Sequence, residues 1–256
     1  MNKTVLRVLE IFELLSNSSK DMTVSEISKD LEIPKSSTHD ILMPLLEKGY
    51  ISIKNKKEKT YELGLKIFQI SNLFQSKLEI NQVVDPFLKE LKEKTNNTVF
   101  FAVENNKKIV YLSKFEVNEG GIRTTAQLGS QNGLYYTGLG KAILATYSNE
   151  KIENYLNEIE LYPRTEKTIV SKEVLLNDLK RIRERGYSID NQEGEDNVYC
   201  IAVPIYDMNK NVLGAISMAN LFTKITPQIV EQQSKMMIET ALEISKKYGY
   251  YEEKLY

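Results

Sequence analysis

The sequence is short of several residue types, and each shortage excludes a class of protein. Its 256 residues include one cysteine and one histidine, which excludes an internal disulfide and argues against a structural zinc site. No apolar run approaches the roughly 20 residues that span a bilayer. Charged residues at Arg7, Glu10 and Glu13 interrupt the first segment, as they would not in a secretory signal. We therefore expect a cytoplasmic protein with no cofactor, no metal and no membrane partner.

The sequence also has no excess of positive charge. Its formal net charge is −1, so any nucleic-acid binding must come from a local basic patch rather than from the whole chain. Hydrophobic residues make up 41% of the chain, which is enough for a packed core. The length predicts about two domains.

The segment from Ile33 to Gly49 has the pattern of the second helix of a helix-turn-helix. Pro34 ends a turn, polar residues open the helix, and an apolar stripe at helical spacing follows before Gly49 ends it. The opening residues, which can reach base edges and phosphates, are Lys35, Ser36, Ser37, Thr38 and His39. An ordinary capped amphipathic helix has the same pattern, so the neighbouring segments decide between the two.

Those neighbours favour a winged helix-turn-helix. Helices are predicted at residues 4–15 and after Thr23, where Glu26 completes a capping box. After Gly49 the pattern alternates, and two short strands enclose a basic tip. The lysines of this tip are Lys54, Lys56, Lys57 and Lys59. A solvated turn has the same composition, but behind a helix-turn-helix we favour a wing that contacts phosphates.

The rest of the chain predicts a linker and a second domain. Residues 65–80 form a helix too apolar for an exposed linker, so a partner helix or a second domain should cover it. Another helix should begin near Pro86. Strands are expected at 98–103, 109–115, 122–125, 187–190, 199–206 and 212–220, and helices at 137–147, 150–159, 171–185 and 226–247. Strands in adjacent pairs with helices outside them favour an α+β domain with an antiparallel sheet flanked by helices. The predicted domains are 1–64, 65–82 and 83–256.

Four segments in order make the sequence resemble the IclR family of bacterial transcription regulators. They are the helix-turn-helix with SSTH at 36–39 and LLEKGYI at 45–51, YELGLKIF at 61–68, TGLGKAILA at 137–145, and RGYSID at 185–190 followed by CIAVPI at 200–205 and LGAIS at 213–217. The resemblance spans nearly the whole chain, and the last segment is its most specific part.

The resemblance implies a DNA-binding regulator rather than an enzyme. Its second domain would be GAF-like and would bind a small-molecule effector, commonly an organic acid or a sugar-derived carboxylate. A homodimer or tetramer would read double-stranded DNA at a pseudo-palindromic operator. Carried over by position, the effector residues are Gly138, Leu139, Asp190, Cys200 and Ser217. Gly138 and Gly140 would let the ligand approach the backbone closely.

Three residues depart from the family pattern. Asp40 replaces a frequent arginine, Pro44 lies inside the recognition helix, and Asn197 replaces a frequent glycine. Asp40, Pro44 and the neutral overall charge keep open a protein-interaction module with weak or lost DNA binding. A redox sensor that uses Cys200 is a second alternative, and an enzyme with Cys200 as nucleophile and His39 as base is a third.

Overall fold

The chain forms two compact units, Met1–Glu79 and Ile80–Tyr256. The computed structural model describes residues 2–55, 57–75, 79–117, 122 and 124–256. Lys56 of the predicted wing, residues 76–78 of the predicted helix at 65–80 and position 123 of the predicted strand at 122–125 therefore lie outside the described residues.

The first unit is the predicted winged helix-turn-helix. Its helices are α1 (Lys3–Asn17), α2 (Val24–Asp30), α3 (Lys35–Glu47) and α4 (Leu65–Gln75), and its strands are β1 (Met22–Thr23), β2 (Ile51–Asn55) and β3 (Thr60–Leu63). The strands form an antiparallel sheet in the order β1-β3-β2. Ile11 of α1, Ile27 of α2 and Leu42 of α3 are fully buried together and fix the three helices around one small core.

Local signals in the sequence set the helix boundaries of this unit. Thr23 and Glu26 form the predicted capping box at the start of α2. Gly49 follows α3 with φ 76°, a left-handed conformation that glycine adopts without strain. A proline at position 44 should kink or shorten α3, but the helix continues to Glu47. Burial of the apolar side of α3 stabilises the helix and compensates for the one backbone hydrogen bond that proline removes.

Helix α4 keeps an apolar face exposed in the single chain. Leu65, Phe68 and Ile70 are respectively 75%, 62% and 44% exposed. The sequence predicted that a partner helix or a second domain covers this face, and that stays a prediction.

The second unit is built on a six-stranded antiparallel sheet. Its strands are β4 (Thr98–Asn105), β5 (Lys108–Phe115), β6 (Gln131–Gly133), β7 (Ser188–Asn191), β8 (Val198–Tyr206) and β9 (Val212–Leu221), in the order β6-β5-β4-β9-β8-β7. Its helices are α5 (Glu79–Thr95), α6 (Gly138–Leu144), α7 (Asn149–Glu158), α8 (Lys172–Arg185) and α9 (Pro227–Lys247).

Helices cover both faces of this sheet. One core contains residues of α6, α7 and α8, and the other contains residues of α5 and α9 together with the closing segment, residues 248–256. The predicted α+β class, with an antiparallel sheet flanked by helices, is confirmed.

Two predicted elements differ from the structure. Helix α5 begins at Glu79 and contains Pro86, because its buried apolar side outweighs the loss of one backbone donor. Residues 122, 124 and 125 lie in a loop rather than in a strand. Side chains make hydrogen bonds to the backbone groups that would otherwise pair with a neighbouring strand. The Thr98 hydroxyl donates to the Ile122 carbonyl, and the Thr125 N–H donates to the Glu195 carboxylate.

A β-bulge interrupts the pairing of β4 with β5. Phe101 pairs with Ser113 and Ala102 pairs with Tyr111, so Leu112 is the extra residue. The bulge reverses the alternation along β5, and Tyr111 and Lys114 consequently face the same side of the sheet.

Within the part of the chain that the structure describes, no helix has the length and apolar composition that crossing a membrane requires.

Candidate functional site

The front of α3 presents polar side chains at its first turns. Lys35, Ser36 and His39 are exposed and Ser37 is half-buried. Thr38 differs from the prediction, because it has no exposed surface and its hydroxyl donates to the Pro34 carbonyl, 3.2 Å away. A side chain packed inside the unit does not reach DNA, so Thr38 belongs to the core and not to the candidate DNA-binding face.

The hairpin of β2 and β3 carries the basic tip. Lys57 and Lys59 are exposed. Lys54 forms an exposed ion pair with Glu62, with 2.9 Å between Nζ and Oε2. A pair of this kind contributes little to stability and is easily exchanged for a phosphate. Lys56 lies outside the described residues.

The second unit holds a cavity between the start of α6 and the sheet. Its empty space, with the open mouth included, is about 550 Å³. All five predicted effector residues line it: Gly138, Leu139, Asp190, Cys200 and Ser217. The structure thus brings together residues that lie up to 79 positions apart in the sequence.

The start of α6 exposes backbone donors to this cavity. The Thr137 hydroxyl caps the helix by accepting from the Gly140 N–H at 3.0 Å, and no described side chain accepts from the N–H groups of Gly138 or Leu139. A Cβ on Gly138 would lie 3.3 Å from the Cβ of Cys200, so a larger residue there would crowd the cavity.

Gly140 has a different role from the one the sequence suggested. A Cβ at this position would lie 2.4 Å from the backbone of Leu134. Gly140 is therefore required by the packing of α6 on the preceding segment, and it does not line the cavity.

Asp190 is the buried acid of the cavity. It is 5% exposed, and its Oδ1 accepts from the N–H groups of Glu193 and Gly194 at 2.7 and 3.3 Å. Burial, reinforced by the nearby Glu193 carboxylate, raises the pKa of Asp190 to about 7. Asp190 can therefore be a hydrogen-bond donor or an anion within the physiological pH range.

A buried lysine supports the floor of the site. Lys141 of α6 is 1% exposed, and its Nζ lies 2.6 Å from Glu193 and 2.8 Å from Asp178 of α8. Burial raises the pKa of Glu193, and the charge of Lys141 opposes that shift. This ion cluster ties α6 to α8 and to the loop that hydrogen-bonds Asp190.

Cys200 lies beside Asp190 across the β7–β8 pair. Burial raises the pKa of its thiol well above the ordinary value, and the neighbouring acids raise it further. A thiol in this environment has little thiolate and low nucleophilicity. The redox and enzyme hypotheses both required a reactive Cys200, and His39 belongs to the other compact unit.

Sequence reasoning missed several residues that complete the cavity. Among them are Phe100, Tyr111, Thr124, Thr125, Asn132, Arg164 and Glu195. The Thr125 N–H and hydroxyl both donate to Glu195, at 3.1 and 2.9 Å, and so join the two loops at the mouth. The guanidinium of Arg164 lies over the Tyr136 ring, 5.8 Å from its centroid. These contacts join segments far apart in sequence, and no local pattern predicts them.

Two family models match the chain. The model for "Bacterial transcriptional regulator IclR C-terminal" matches residues 73–246, and the model for "IclR helix-turn-helix domain" matches residues 4–52. The chain belongs to the IclR family of bacterial transcriptional regulators. It is therefore a DNA-binding transcriptional regulator with a C-terminal effector-binding domain.

Individual members of the IclR family align with this chain over nearly their full length. The transcriptional regulator KdgR of Escherichia coli K12 is 28% identical over 251 residues, which are 97% of this chain and 95% of the relative. The transcriptional repressor IclR of the same strain is 26% identical over 249 residues, 96% of this chain and 90% of the relative. These proteins are regulators, and the prediction that the chain is not an enzyme is confirmed.

Solved structures of the IclR family have the same fold. The IclR of Thermotoga maritima is 32% identical, with a TM-score of 0.79 over 96% of this chain and 99% of that one. An IclR homolog from Microbacterium hydrocarbonoxydans, complexed with 4-hydroxybenzoate, is 19% identical with a TM-score of 0.83 over 96% of this chain and 99% of that one. At that identity the second likeness concerns the fold alone.

Proposed function

We propose that the effector of this regulator is a small organic acid or a sugar-derived carboxylate, bound in the cavity at the start of α6. A homodimer or tetramer reads a pseudo-palindromic operator through the front of α3 and the wing, and the effector changes its operator affinity. The observation that carries the proposal is the convergence of five family-matched residues on one cavity.

The chemistry of the cavity suits a carboxylate. The backbone N–H groups of Gly138 and Leu139, which no side chain of the described residues accepts from, can donate to an anion, and Asp190 in its neutral form adds an O–H donor. Ser217 is 2% exposed and makes no side-chain hydrogen bond to a described residue, so its hydroxyl is available to a ligand. Cys200 contributes an apolar, polarisable wall.

The geometry of the first unit supports the DNA half of the proposal. Lys35, Ser36, Ser37 and His39 lie at the accessible front of α3, and the exposed wing lysines Lys54, Lys57 and Lys59 can neutralise phosphates. Lys56, which lies outside the described residues, belongs to the same proposed set. The exposed Asp40 contributes a negative charge beside this face. We therefore expect modest affinity, dominated by the salt-dependent contribution of the wing.

The proposal is tested by binding of the purified chain to its own upstream DNA, followed by fluorescence anisotropy across a salt series. A panel of small organic acids that includes 4-hydroxybenzoate is added at fixed salt. Specific, salt-sensitive binding that one acid shifts would support both halves. If the chain binds DNA and no acid changes its affinity, the proposed carboxylate effector is ruled out. If the chain binds no operator candidate, the interaction module is favoured.

Matched lysine variants test the wing. The double variant Lys57→Gln and Lys59→Gln removes two charges while keeping side-chain length. We expect binding to all sequences to weaken alike and the slope of log K against log salt to fall by about 0.9 for each phosphate that the wing no longer neutralises. The control variant, Lys180→Gln with Lys247→Gln, removes two exposed charges of the second unit and should leave the slope unchanged. An unchanged slope in the wing variant would exclude the wing from DNA binding.

A further inference from the structure

The effector cavity has a second polar wall that none of the family-matched residues belongs to. We call Tyr111, Asn132 and Thr124 the polar wall; Tyr111 lies on β5, Asn132 on β6 and Thr124 in the loop before β6. Asn132 already uses both of its side-chain groups within the protein, so the question is what Tyr111 and Thr124 bind.

The hydrogen bonds of this wall form a chain in which Tyr111 is the last acceptor. The Tyr136 hydroxyl donates to Asn132 Oδ1 at 3.1 Å, and Asn132 Nδ2 donates to the Tyr111 hydroxyl oxygen at 3.2 Å. Tyr111 therefore receives one hydrogen bond, and its own proton has no acceptor among the described residues. Only 7% of Tyr111 is exposed. Burial raises the pKa of Tyr111, so the phenol keeps its proton.

Thr124 is the second unsatisfied group of the wall. Its hydroxyl oxygen is buried and has no hydrogen-bond partner in the part of the chain that is described. A buried hydroxyl without a partner is unfavourable in a native protein and needs an explanation. Since Thr124 lines the cavity, a ligand atom is the natural partner.

The surroundings hold these two hydroxyls in place. Lys114 donates to the Ala126 carbonyl at 2.7 Å, and Thr125 donates to Glu195, so the two residues that follow Thr124 are anchored to β5 and to the loop at Glu195. Phe100 lies edge-on to Tyr111, with 5.5 Å between ring centroids, and gives the cavity an apolar surface between its polar groups. These contacts position Tyr111 and Thr124 at the surface of the cavity.

We propose that Tyr111 and Thr124 determine effector specificity by hydrogen-bonding an oxygen on the carbon skeleton of the bound acid, so that the cavity prefers hydroxy or oxo acids to the same acids without that oxygen. The proposal rests on the carboxylate effector proposed above and adds the second recognition point. A site built to satisfy buried polar groups rejects an analogue that leaves them unpaired.

The test compares matched pairs of acids by isothermal titration calorimetry on the full chain. The pairs are 4-hydroxybenzoate with benzoate, 4-hydroxybutyrate with butyrate, and lactate with propionate. We expect at least one oxygen-bearing member to bind about 10-fold to 100-fold more tightly than its partner. Equal affinities within every pair would overturn this proposal and leave the carboxylate effector standing, whereas no binding of any acid would overturn both.

Isosteric variants assign the preference to the two residues. Tyr111→Phe and Thr124→Val each remove one hydroxyl, and each should lower the affinity for the hydroxy acid toward that of its partner while the affinity for the plain acid stays the same. Tyr250→Phe is the matched control, because the Tyr250 hydroxyl donates to the Lys254 carbonyl and does not line the cavity. A preference that survives in both variants would overturn the assignment, and thermal melting verifies that each variant is folded.

Discussion

At the scale of single residues, Asp190 decides how the cavity responds to pH. Its pKa of about 7 follows from burial and from the Glu193 carboxylate, against the opposing charge of Lys141. Glu195 and Arg164 also border the cavity. A bound carboxylate adds a negative charge beside Asp190, so the complex favours the neutral acid, which can donate a hydrogen bond to the ligand.

We therefore predict that the affinity for a carboxylate effector falls as pH rises. If only the neutral form of Asp190 binds well, the dissociation constant should increase about tenfold between pH 6 and pH 8, since the ionised fraction grows across a pKa near 7. Calorimetric titrations at a series of pH values measure this directly. Asp190→Asn, which cannot ionise, should bind with little pH dependence. An affinity that is flat in the parent chain over this range would contradict the prediction.

The residues of the site were predictable to different degrees. Gly138, Asp190 and Ser217, which line the cavity, were proposed as effector residues because each lies in a segment that resembles the IclR family. Tyr111 and Thr124 carry no such signal. Thr124 faces the cavity because of side-chain contacts to its loop, and those contacts form only after the sheet has brought distant segments together.

At the scale of elements, the sheet shows why periodicity alone is insufficient. A strict period of two along β5 places Tyr111 and Ser113 on one face. The bulge at Leu112 separates them: Tyr111 faces the cavity, whereas Ser113 donates to Asp85 of α5 on the opposite face. The positions of most helices and strands followed from hydrophobic pattern and capping residues. The bulge depends on pairing between strands, which a single strand's sequence does not encode.

The closing segment fixes the end of α6, the helix that opens the cavity. The Tyr256 hydroxyl donates to the Ala142 carbonyl at 3.0 Å. This carbonyl needs an external partner, because the Thr146 N–H that would bond it in a continuing helix bonds Ile143 instead. Leu255 is 3% exposed, and its carbonyl accepts from Tyr206 at 2.5 Å, which anchors the segment on β8.

Removal of this hydroxyl should weaken the second unit. We predict that Tyr256→Phe lowers the free energy of unfolding by about 1 to 3 kcal/mol, because the carbonyl of the buried Ala142 is left without its partner. Urea unfolding followed by circular dichroism measures the change. Tyr251→Phe makes the same substitution at a side chain that is 78% exposed and should have no measurable effect. Equal stability of the two variants would show that the Ala142 carbonyl finds another partner.

At the scale of the whole molecule, the proposed DNA-binding face and the proposed effector cavity belong to different compact units. A ligand in one unit can change binding at the other only if it has different affinities for two arrangements of the chain. The coupling is then reciprocal, so operator DNA must change the effector affinity by the same factor as the effector changes the operator affinity.

We predict a coupling factor of about 5 to 150, the usual range for allosteric proteins. Operator affinity is measured by anisotropy with and without saturating effector, and effector affinity by calorimetry with and without operator, all at one salt concentration because DNA binding depends steeply on salt. The two ratios should agree. A non-operator duplex of the same length is the control and should change effector affinity less. If an acid fills the cavity and neither ratio departs from one, the cavity binds a ligand that does not regulate DNA binding, and the effector half of the proposal fails while the DNA half stands.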